Sequence, residues 1–177
     1  LTGLYNRAIF EEVQKHLDLS RKIPISVIMG DVNGLKLIND SLGHDFGDRV
    51  LVSVAQRITS CLRSSDIAAR MGGDEFIFLL PDTDACGAEM IVQRVMNRLG
   101  EPLLLDSLKL TVTGSIGIAL FPVDGKSKED LIKNADTAMY QAKAQGRSNY
   151  RFYKRQMNID SLSRIKLDSA MRSALES

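Results

Sequence analysis

Two stretches of the sequence carry acidic residues in settings that could hold a metal ion. Residues 25–29 form a short β-branched run that predicts a buried strand, and this strand would deliver Asp31 at its carboxyl end. Asp74 and Glu75 follow a Gly-Gly pair at a tight bend, where glycine lets the backbone approach a ligand closely. Because magnesium binds through one or two carboxylates together with substrate phosphates, convergence of Asp31 and Asp74 would predict phosphoryl or nucleotidyl transfer.

The bend alone is weak evidence, because a Gly-Gly turn flanked by solvated acids is a common surface feature. On residues 72–76 by themselves, that purely structural interpretation is favoured. The functional interpretation depends on the strand at Asp31 lying beside the bend.

The elements that must position these acids alternate between helix and strand. Apolar residues at helical spacing predict helices over residues 6–19, 34–41, 50–62, 83–99, 131–142 and 157–175. Runs of residues with a pattern typical of strands predict strands over residues 25–29, 66–71, 75–80, 103–105, 108–120 and 150–153. Two strand pairs are hairpins, which turn at 72–74 and 106–107, so the sheet must be mixed or largely antiparallel. Gly43 and Gly47 are expected in a polar connection, and Ser127 with Asp130 predicts a capping box.

Composition narrows the class of protein. The 177 residues, 44% hydrophobic and 25% charged, predict one soluble domain with a full core. A net charge of +1 with scattered basic residues argues against a nucleic-acid partner. Cys61 and Cys86 lie far apart without metal-site spacing, so neither a disulfide framework nor a zinc site is indicated.

Hydropathy predicts a cytoplasmic domain without membrane contact. We find no signal peptide and no apolar run near the roughly 20 residues that span a bilayer. The abrupt start and the end inside a helical pattern are what we expect of a domain cut from a longer protein, whose other parts could be membrane-anchored.

Several motifs together resemble the GGDEF family of diguanylate cyclases. They are residues 1–7 (LTGLYNR), 39–48 (NDSLGHDFGD), 70–76 (RMGGDEF), 115–117 (SIG), 135–136 (AD), 142–143 (AK) and 146–147 (GR). The resemblance covers residues 1 to about 153 in the family's order. It implies an α+β, nucleotidyl-cyclase-like fold, in which helices flank a central, mostly antiparallel sheet and the signature lies on a β-hairpin.

The resemblance also implies a metal site. Asp31 and Asp74 would hold Mg²⁺, with Mn²⁺ as a substitute, and the Val32 carbonyl would be a third ligand. Asp74 would also assist deprotonation of the attacking ribose 3′-hydroxyl, and Glu75 would help at the metal site. Asn33 stands where the family commonly has a second Asp, from which we expect altered packing rather than lost catalysis.

Substrate-binding residues follow from the same resemblance. Lys36, Lys143 and Arg147 would neutralise triphosphate charge as it develops, although each alone would be a solvated surface charge. Gly72 and Gly73 would border the substrate at the turn.

A second group of residues is implied to recognise the base. Asn39 and Asp48 would read guanine, because a carboxylate can accept from two base N–H groups while an amide satisfies the remaining edge. Without the resemblance they would be turn and cap residues. His44 contacts substrate or ties down its loop, and the sequence favours neither.

Arg63 and Asp66 form an R-x-x-D pair with five residues between it and Gly72, which matches the family's inhibitory product-binding site. Arg94 falls where a second arginine often completes that site. Arginine can grip a phosphate or a guanine edge with two hydrogen bonds. R-x-x-D by itself is a common surface pattern.

The activity so implied is condensation of two GTP molecules into cyclic di-GMP at a homodimer interface. A catalytically silent GTP- or cyclic di-GMP-binding module that controls an attached phosphodiesterase is the alternative, and another nucleotidyl cyclase or polymerase-like activity is more remote. The predicted domain spans residues 1–155. Residues 156–177 resemble the helical connector to an EAL-type phosphodiesterase domain.

Overall fold

The computed structural model describes residues 1–16, 18, 21, 23–146 and 148–175. Its strands are β1 (Tyr5–Asn6), β2 (Ile25–Asn33), β3 (Ile67–Gly72), β4 (Glu75–Leu80), β5 (Leu103–Leu105), β6 (Leu108–Leu110), β7 (Thr113–Phe121) and β8 (Asn149–Phe152). Its helices are α1 (Arg7–His16), α2 (Leu35–Leu42), α3 (His44–Thr59), α4 (Ala85–Gly100), α5 (Lys128–Ala144) and α6 (Arg155–Leu175).

Six strands form one sheet in the order β1-β3-β4-β2-β7-β8, and β5 pairs with β6 in a separate hairpin. The central pairs β3-β4, β4-β2 and β2-β7 are antiparallel, whereas β1 and β8 join the two edges in parallel. The predicted α+β class is therefore confirmed, with a mostly antiparallel sheet flanked by helices and the signature on a hairpin.

Both faces of the sheet are covered by helices. Side chains of β2 and β4 alternate between the two faces, so Ile28 and Phe78 join the core under α3 and α4, whereas Val27 and Ile77 join the core under α1 and α5. This double burial explains why β2 and β4 are nearly continuous apolar runs, a pattern otherwise typical of parallel sheets.

α5 approaches the sheet closely, and a glycine makes this possible. A Cβ at Gly117 on β7 would overlap the backbone of Ala135 and Met139 on α5. The N-terminus of α5 is fixed by Ser127, whose Oγ accepts a hydrogen bond of 3.1 Å from the Asp130 amide, as the predicted cap requires. The helix is thereby held against β7, the strand beside β2.

Several predicted boundaries are wrong. β2 continues to Asn33, so Asp31 lies within the strand rather than at its end. The 108–120 strand is interrupted at residues 111–112, where the buried Val112 packs under α4 and separates β6 from β7. β1, only two residues long, was not predicted, and β8 begins one residue early. α1 ends at His16, and the predicted helix residues 17 and 19 lie outside the described residues.

The expected polar connection from Gly43 to Gly47 is also wrong, because α3 begins at His44 and includes Gly47. A Cβ at Gly47 would overlap the side chain of Asn39 on α2. Gly47 thus serves close packing of two helices rather than a turn.

Two further findings concern the tail and hydropathy. α6 carries exposed apolar side chains along much of its length, which are Ile159, Leu162, Ile165, Leu167 and Met171. None of the helices in the described ranges has the length and apolar character needed to cross a membrane.

Candidate active site

The signature turn and β2 bring the predicted acids together. Antiparallel pairing of β2 with β4 places Asp31 directly opposite Glu75. The Val32 amide donates a hydrogen bond of 3.0 Å to the carbonyl of Asp74, which ties the turn to β2. Asp31 is only 5% exposed, whereas Asp74 and Glu75 are half-buried. The structure therefore brings the predicted acids of β2 to the predicted acids of the hairpin.

α5 adds one cation and one further acid to this cluster. The Lys143 Nζ lies 2.8 Å from Oδ2 of Asp31. Asp136 lies seven residues earlier, about two helical turns, so it shares a face of α5 with Lys143. Sequence reasoning did not assign Asp136 to the site, although this spacing from Lys143 was a signal that could have found it.

Burial raises the pKa of three acids of the cluster, and repulsion between acids adds to the shift for two of them. Burial raises the pKa of Asp31. Repulsion from Asp74 and from Asp136 raises it further, whereas the hydrogen bond from Lys143 opposes the shift. Burial also raises the pKa of Glu75, with added repulsion from Asp136, Asp31 and Asp74. Partial burial raises the pKa of Asp136. For Asp31 and Glu75 the neighbouring acids add repulsion to the effect of burial, which a bound cation would offset.

The signature turn is fixed by an arginine as well. Gly72 and Gly73 have positive φ angles of 153° and 50°. Arg70 donates to the Gly73 carbonyl from both Nε, at 2.9 Å, and Nη2, at 2.7 Å. The strand register shifts between Arg70 and Gly72, so the turn lies beyond the regular ladder. Sequence reasoning gave Arg70 no role.

A cleft of about 320 Å³ opens beside these acids. Asp31, Val32, Asp74, Lys143 and the exposed Lys36 are among the residues that line it. It therefore combines carboxylate oxygens with two ammonium groups, which is the chemistry needed to hold phosphates and a hard cation together.

A second cavity, of about 420 Å³, lies along the other side of Lys143. Glu75 and Asp136 line it together with Arg164 and Asp168 of α6. The C-terminal helix therefore borders the acid cluster, a proximity that the sequence did not predict.

The donor set fits magnesium better than a closed metal centre. Within residues 1–16, 18, 21, 23–146 and 148–175, no group of three or more His, Cys, Asp and Glu side chains has a metal-binding arrangement. Asp31 and Asp74 offer only oxygen, and a site of two carboxylates leaves the remaining positions to phosphates and water, as magnesium prefers. Asn33 bonds across to β7, since its Nδ2 donates to Thr113 at 3.1 Å and its Oδ1 accepts from Ser115 at 3.2 Å.

The predicted guanine-binding residues lie on the neighbouring helix pair. Asn39 is half-buried on α2 and contacts Gly47 of α3, next to the exposed Asp48. His44 is exposed at the start of α3. These three side chains do not line the 320 Å³ cleft, although Lys36, on the same helix as Asn39, does. Arg147, the remaining predicted phosphate-binding residue, lies outside the described residues.

The R-x-x-D pair forms a compact turn away from the cleft. Oδ2 of Asp66 accepts a hydrogen bond of 2.7 Å from the Arg63 amide, and the Asp66 amide donates to the Arg63 carbonyl at 3.1 Å. Oδ1 of Asp66 is buried and has no partner within the described part of the chain. Arg63 and Asp66 border a cavity of about 370 Å³. Arg94 reaches the same region, since its Nη1 donates to the Cys61 carbonyl at 3.4 Å.

Comparisons with known proteins identify the family. The profile of the family described as "Diguanylate cyclase, GGDEF domain" matches residues 1–149. The chain is 43% identical over 178 residues to the cyclic di-GMP phosphodiesterase NbdA of Pseudomonas aeruginosa, covering 99% of this chain and 23% of that protein. It is 36% identical over 181 residues to the bifunctional diguanylate cyclase/cyclic di-GMP phosphodiesterase MucR of the same organism, covering 99% and 26%.

The chain thus spans about a quarter of the length of these curated relatives. The structure of an N-terminally truncated mutant of P. aeruginosa YfiN that comprises only the GGDEF domain superimposes with a TM-score of 0.84 at 37% identity, covering 91% of this chain and 96% of that chain. Family match, sequence identity and fold agree, and the chain belongs to the GGDEF family of diguanylate cyclase domains.

Proposed function

We propose that this domain is an active diguanylate cyclase, which condenses two GTP molecules into cyclic di-GMP and two pyrophosphates. The observation that carries the proposal is the shared cleft of Asp31, Asp74, Lys36 and Lys143. Proteins that no longer catalyse the reaction would not need to retain both acids and both cations at one cleft. MucR, 36% identical, is named as carrying the cyclase activity.

In each half-reaction a ribose 3′-oxygen attacks the α-phosphate of the other GTP. The bond from the α-phosphorus to the oxygen that bridges it to the β-phosphate breaks, and pyrophosphate leaves. Asp74 accepts the hydroxyl proton, directly or through a water molecule, because it is the acid of the turn that lines the 320 Å³ cleft. Lys36 and Lys143 offset the negative charge that develops on the phosphate oxygens.

Magnesium, held by Asp31, Asp74 and the Val32 carbonyl, would polarise the phosphoryl oxygens, and Mn²⁺ could replace it. Glu75, directly opposite Asp31, contributes further negative charge to that site. Lys143, which lies 2.8 Å from Oδ2 of Asp31, has further N–H donors that can bind phosphate.

Base selection rests on Asn39 and Asp48, with His44 as a neighbour and Gly72 and Gly73 at the substrate side of the turn. Arg147 joins the phosphate-binding residues in this proposal. A carboxylate and an amide together complement the edge of guanine, and adenine would leave both groups unpaired.

One subunit cannot present two nucleotides to one another, so the active species is a homodimer with one GTP in each subunit.

Cyclic di-GMP would bind to Arg63, Asp66 and Arg94 and would inhibit its own synthesis. Residues 156–177 would connect the domain to a downstream domain in a longer protein, and the domain would work in the cytoplasm, where GTP is available.

The alternative is a silent module that binds GTP or cyclic di-GMP and controls an attached phosphodiesterase. The specific observation in its favour is that NbdA, at 43% identity, is named only as a phosphodiesterase. A chain of this class would bind nucleotide without turnover.

The deciding experiment incubates the purified chain with GTP and Mg²⁺ at several protein concentrations and measures cyclic di-GMP and pyrophosphate. We expect two pyrophosphates per cyclic di-GMP and a specific activity that rises with concentration as dimers form. GTP binding without either product would favour the silent module. If the specific activity does not change with protein concentration, even at concentrations far below the dimerisation constant, the dimeric mechanism is contradicted.

A further inference from the structure

Arg70 makes an unusual contact for an arginine next to a cluster of acids. Its guanidinium donates to a backbone carbonyl, that of Gly73, through Nε at 2.9 Å and Nη2 at 2.7 Å. This carbonyl belongs to the peptide group that joins Gly73 to Asp74. Two donors in a rigid plane fix the orientation of that peptide more tightly than a single hydrogen bond could.

The next peptide group is held from the opposite side. The carbonyl of Asp74 accepts a hydrogen bond of 3.0 Å from the Val32 amide of β2. The two peptide groups that flank the Cα atom of Asp74 are therefore both anchored, one by β3 through Arg70 and one by β2. Only these two peptide planes set the backbone angles of Asp74, so the origin of its side chain is fixed.

The turn needs such anchors for two reasons. Pairing of β3 with β4 shifts register between Arg70 and Gly72, so beyond this irregularity only the Gly72–Glu75 pair of the ladder borders the turn. Asp31 and Asp74 line one cleft as like charges, and their repulsion pushes the turn away from β2.

We propose that Arg70 is a positioning residue of the active site, which holds the Gly73–Asp74 peptide so that the Asp74 carboxylate stays beside Asp31. Arg70 acts through the backbone and does not contact substrate. The catalytic consequence rests on the proposed cyclase function, whereas the anchoring of the turn does not.

The test compares Arg70→Ala, Arg70→Lys and a control, Arg151→Ala. Arg151 is an exposed arginine on β8, at the opposite edge of the sheet from β1, and its Nε donates to Oε1 of Gln145 at 2.7 Å. We measure amide hydrogen exchange of residues 72–75 without nucleotide, the Mg²⁺ concentration that gives half-maximal turnover, and kcat and KM for GTP.

We expect Arg70→Ala to accelerate exchange in the turn and to raise the Mg²⁺ midpoint. It should also lower kcat by about 10- to 100-fold, with little change in KM. A loss of this size is expected when a group at the reacting centre is displaced by about 1 Å. Arg70→Lys should recover part of each effect, because an ammonium can replace one of the two hydrogen bonds. Arg151→Ala should match the parent.

Unchanged exchange in the turn in a folded Arg70→Ala protein would overturn the proposal, and so would a raised KM with unchanged kcat, which would indicate substrate contact. If Arg70→Ala does not fold, Arg70→Lys decides by the same measurements. A parent that makes no cyclic di-GMP would refute the proposed function, while exchange in the turn would still test the anchor.

Discussion

The ammonium group of Lys143 lies 2.8 Å from the buried carboxylate of Asp31, so a predicted phosphate-binding residue pairs with a predicted metal ligand. The contact joins α5 to the central strand β2. It also explains how a carboxylate that is 5% exposed is tolerated beside other acids. The pair is therefore a structural contact between two residues of the proposed site.

We expect Lys143→Met to destabilise the ligand-free domain by about 1–3 kcal/mol near pH 8, because Asp31 loses its charged partner. Without Lys143 the pKa of Asp31 rises further above its unfolded value. The destabilisation is then complete above that raised pKa and disappears as pH falls and Asp31 takes up a proton. Urea unfolding between pH 4 and 8 measures it, with Lys133→Met as a control on the exposed face of α5. A loss of stability that does not change with pH would contradict the pairing.

Asp74→Asn should abolish synthesis and leave the fold intact, since it removes a charge but little volume. Asp31→Asn should mainly raise the Mg²⁺ concentration needed for turnover. Product formation and thermal unfolding of both variants test this. Full turnover by folded Asp74→Asn would exclude the metal and base roles proposed for Asp74.

Glu75 gives a prediction about pH. Its raised pKa means that the folded state binds a proton at a higher pH than the unfolded state, so burial of the charge, with added repulsion from neighbouring acids, lowers stability as pH rises through that raised pKa. Glu75→Gln removes the charge that is both buried and repelled. Its melting temperature should exceed that of the parent by a few degrees at neutral pH without divalent cations, and the difference should vanish in acid. Melting curves at several pH values check this, and an equal difference at all pH values would contradict it.

The sequence predicted the parts of this site that depend on local signals. The Gly-Gly pair at residues 72–73 predicted the hairpin, and the apolar run before Asp31 predicted a buried strand, so their convergence was foreseeable. The order of the strands was not, because pairing of β2 with both β4 and β7 depends on long-range contacts.

Other features needed the tertiary structure. Gly47 has a turn-forming residue type but packs against Asn39, and local patterns do not distinguish these roles. Arg70 is one arginine among many until its contact with the Gly73 carbonyl is seen. The approach of α6 to Glu75 depends on how that helix leaves β8, for which its own sequence carries no signal.

Asp48→Ala should weaken use of GTP far more than it disturbs folding, because Asp48 is exposed on α3 and carries little packing. A buried polar contact to the base is worth about 1–3 kcal/mol, so GTP affinity should fall by about tenfold or more. ATP should remain a poor ligand of the parent. Calorimetry with GTP and ATP measures both, with Asp45→Ala, another exposed acid of α3, as the matched control. Comparable binding of GTP and ATP by the parent would refute the guanine-reading role of Asn39 and Asp48.

Product inhibition through Arg63, Asp66 and Arg94 gives the final prediction. Oδ1 of Asp66 is buried and accepts no hydrogen bond from the described residues, so a ligand could pair with it only if the turn shifts. The chain runs from Asp66 along β3 directly into the signature turn, which gives bound product a short path to the catalytic acids. Inhibition requires that cyclic di-GMP bind the inactive arrangement of subunits more tightly than the active one.

Arg63→Ala should raise the cyclic di-GMP concentration for half-inhibition by about tenfold or more, because a lost hydrogen bond to a charged group costs about 1.5–3 kcal/mol. Initial rates against added product measure the shift, and calorimetry counts the product bound. Arg98→Ala is the control, since Arg98 is an exposed arginine one turn beyond Arg94 that pairs with Glu101 at 3.0 Å. If the parent is not inhibited, or if Arg63→Ala is inhibited as strongly as the parent, Arg63 and Asp66 form only a surface turn.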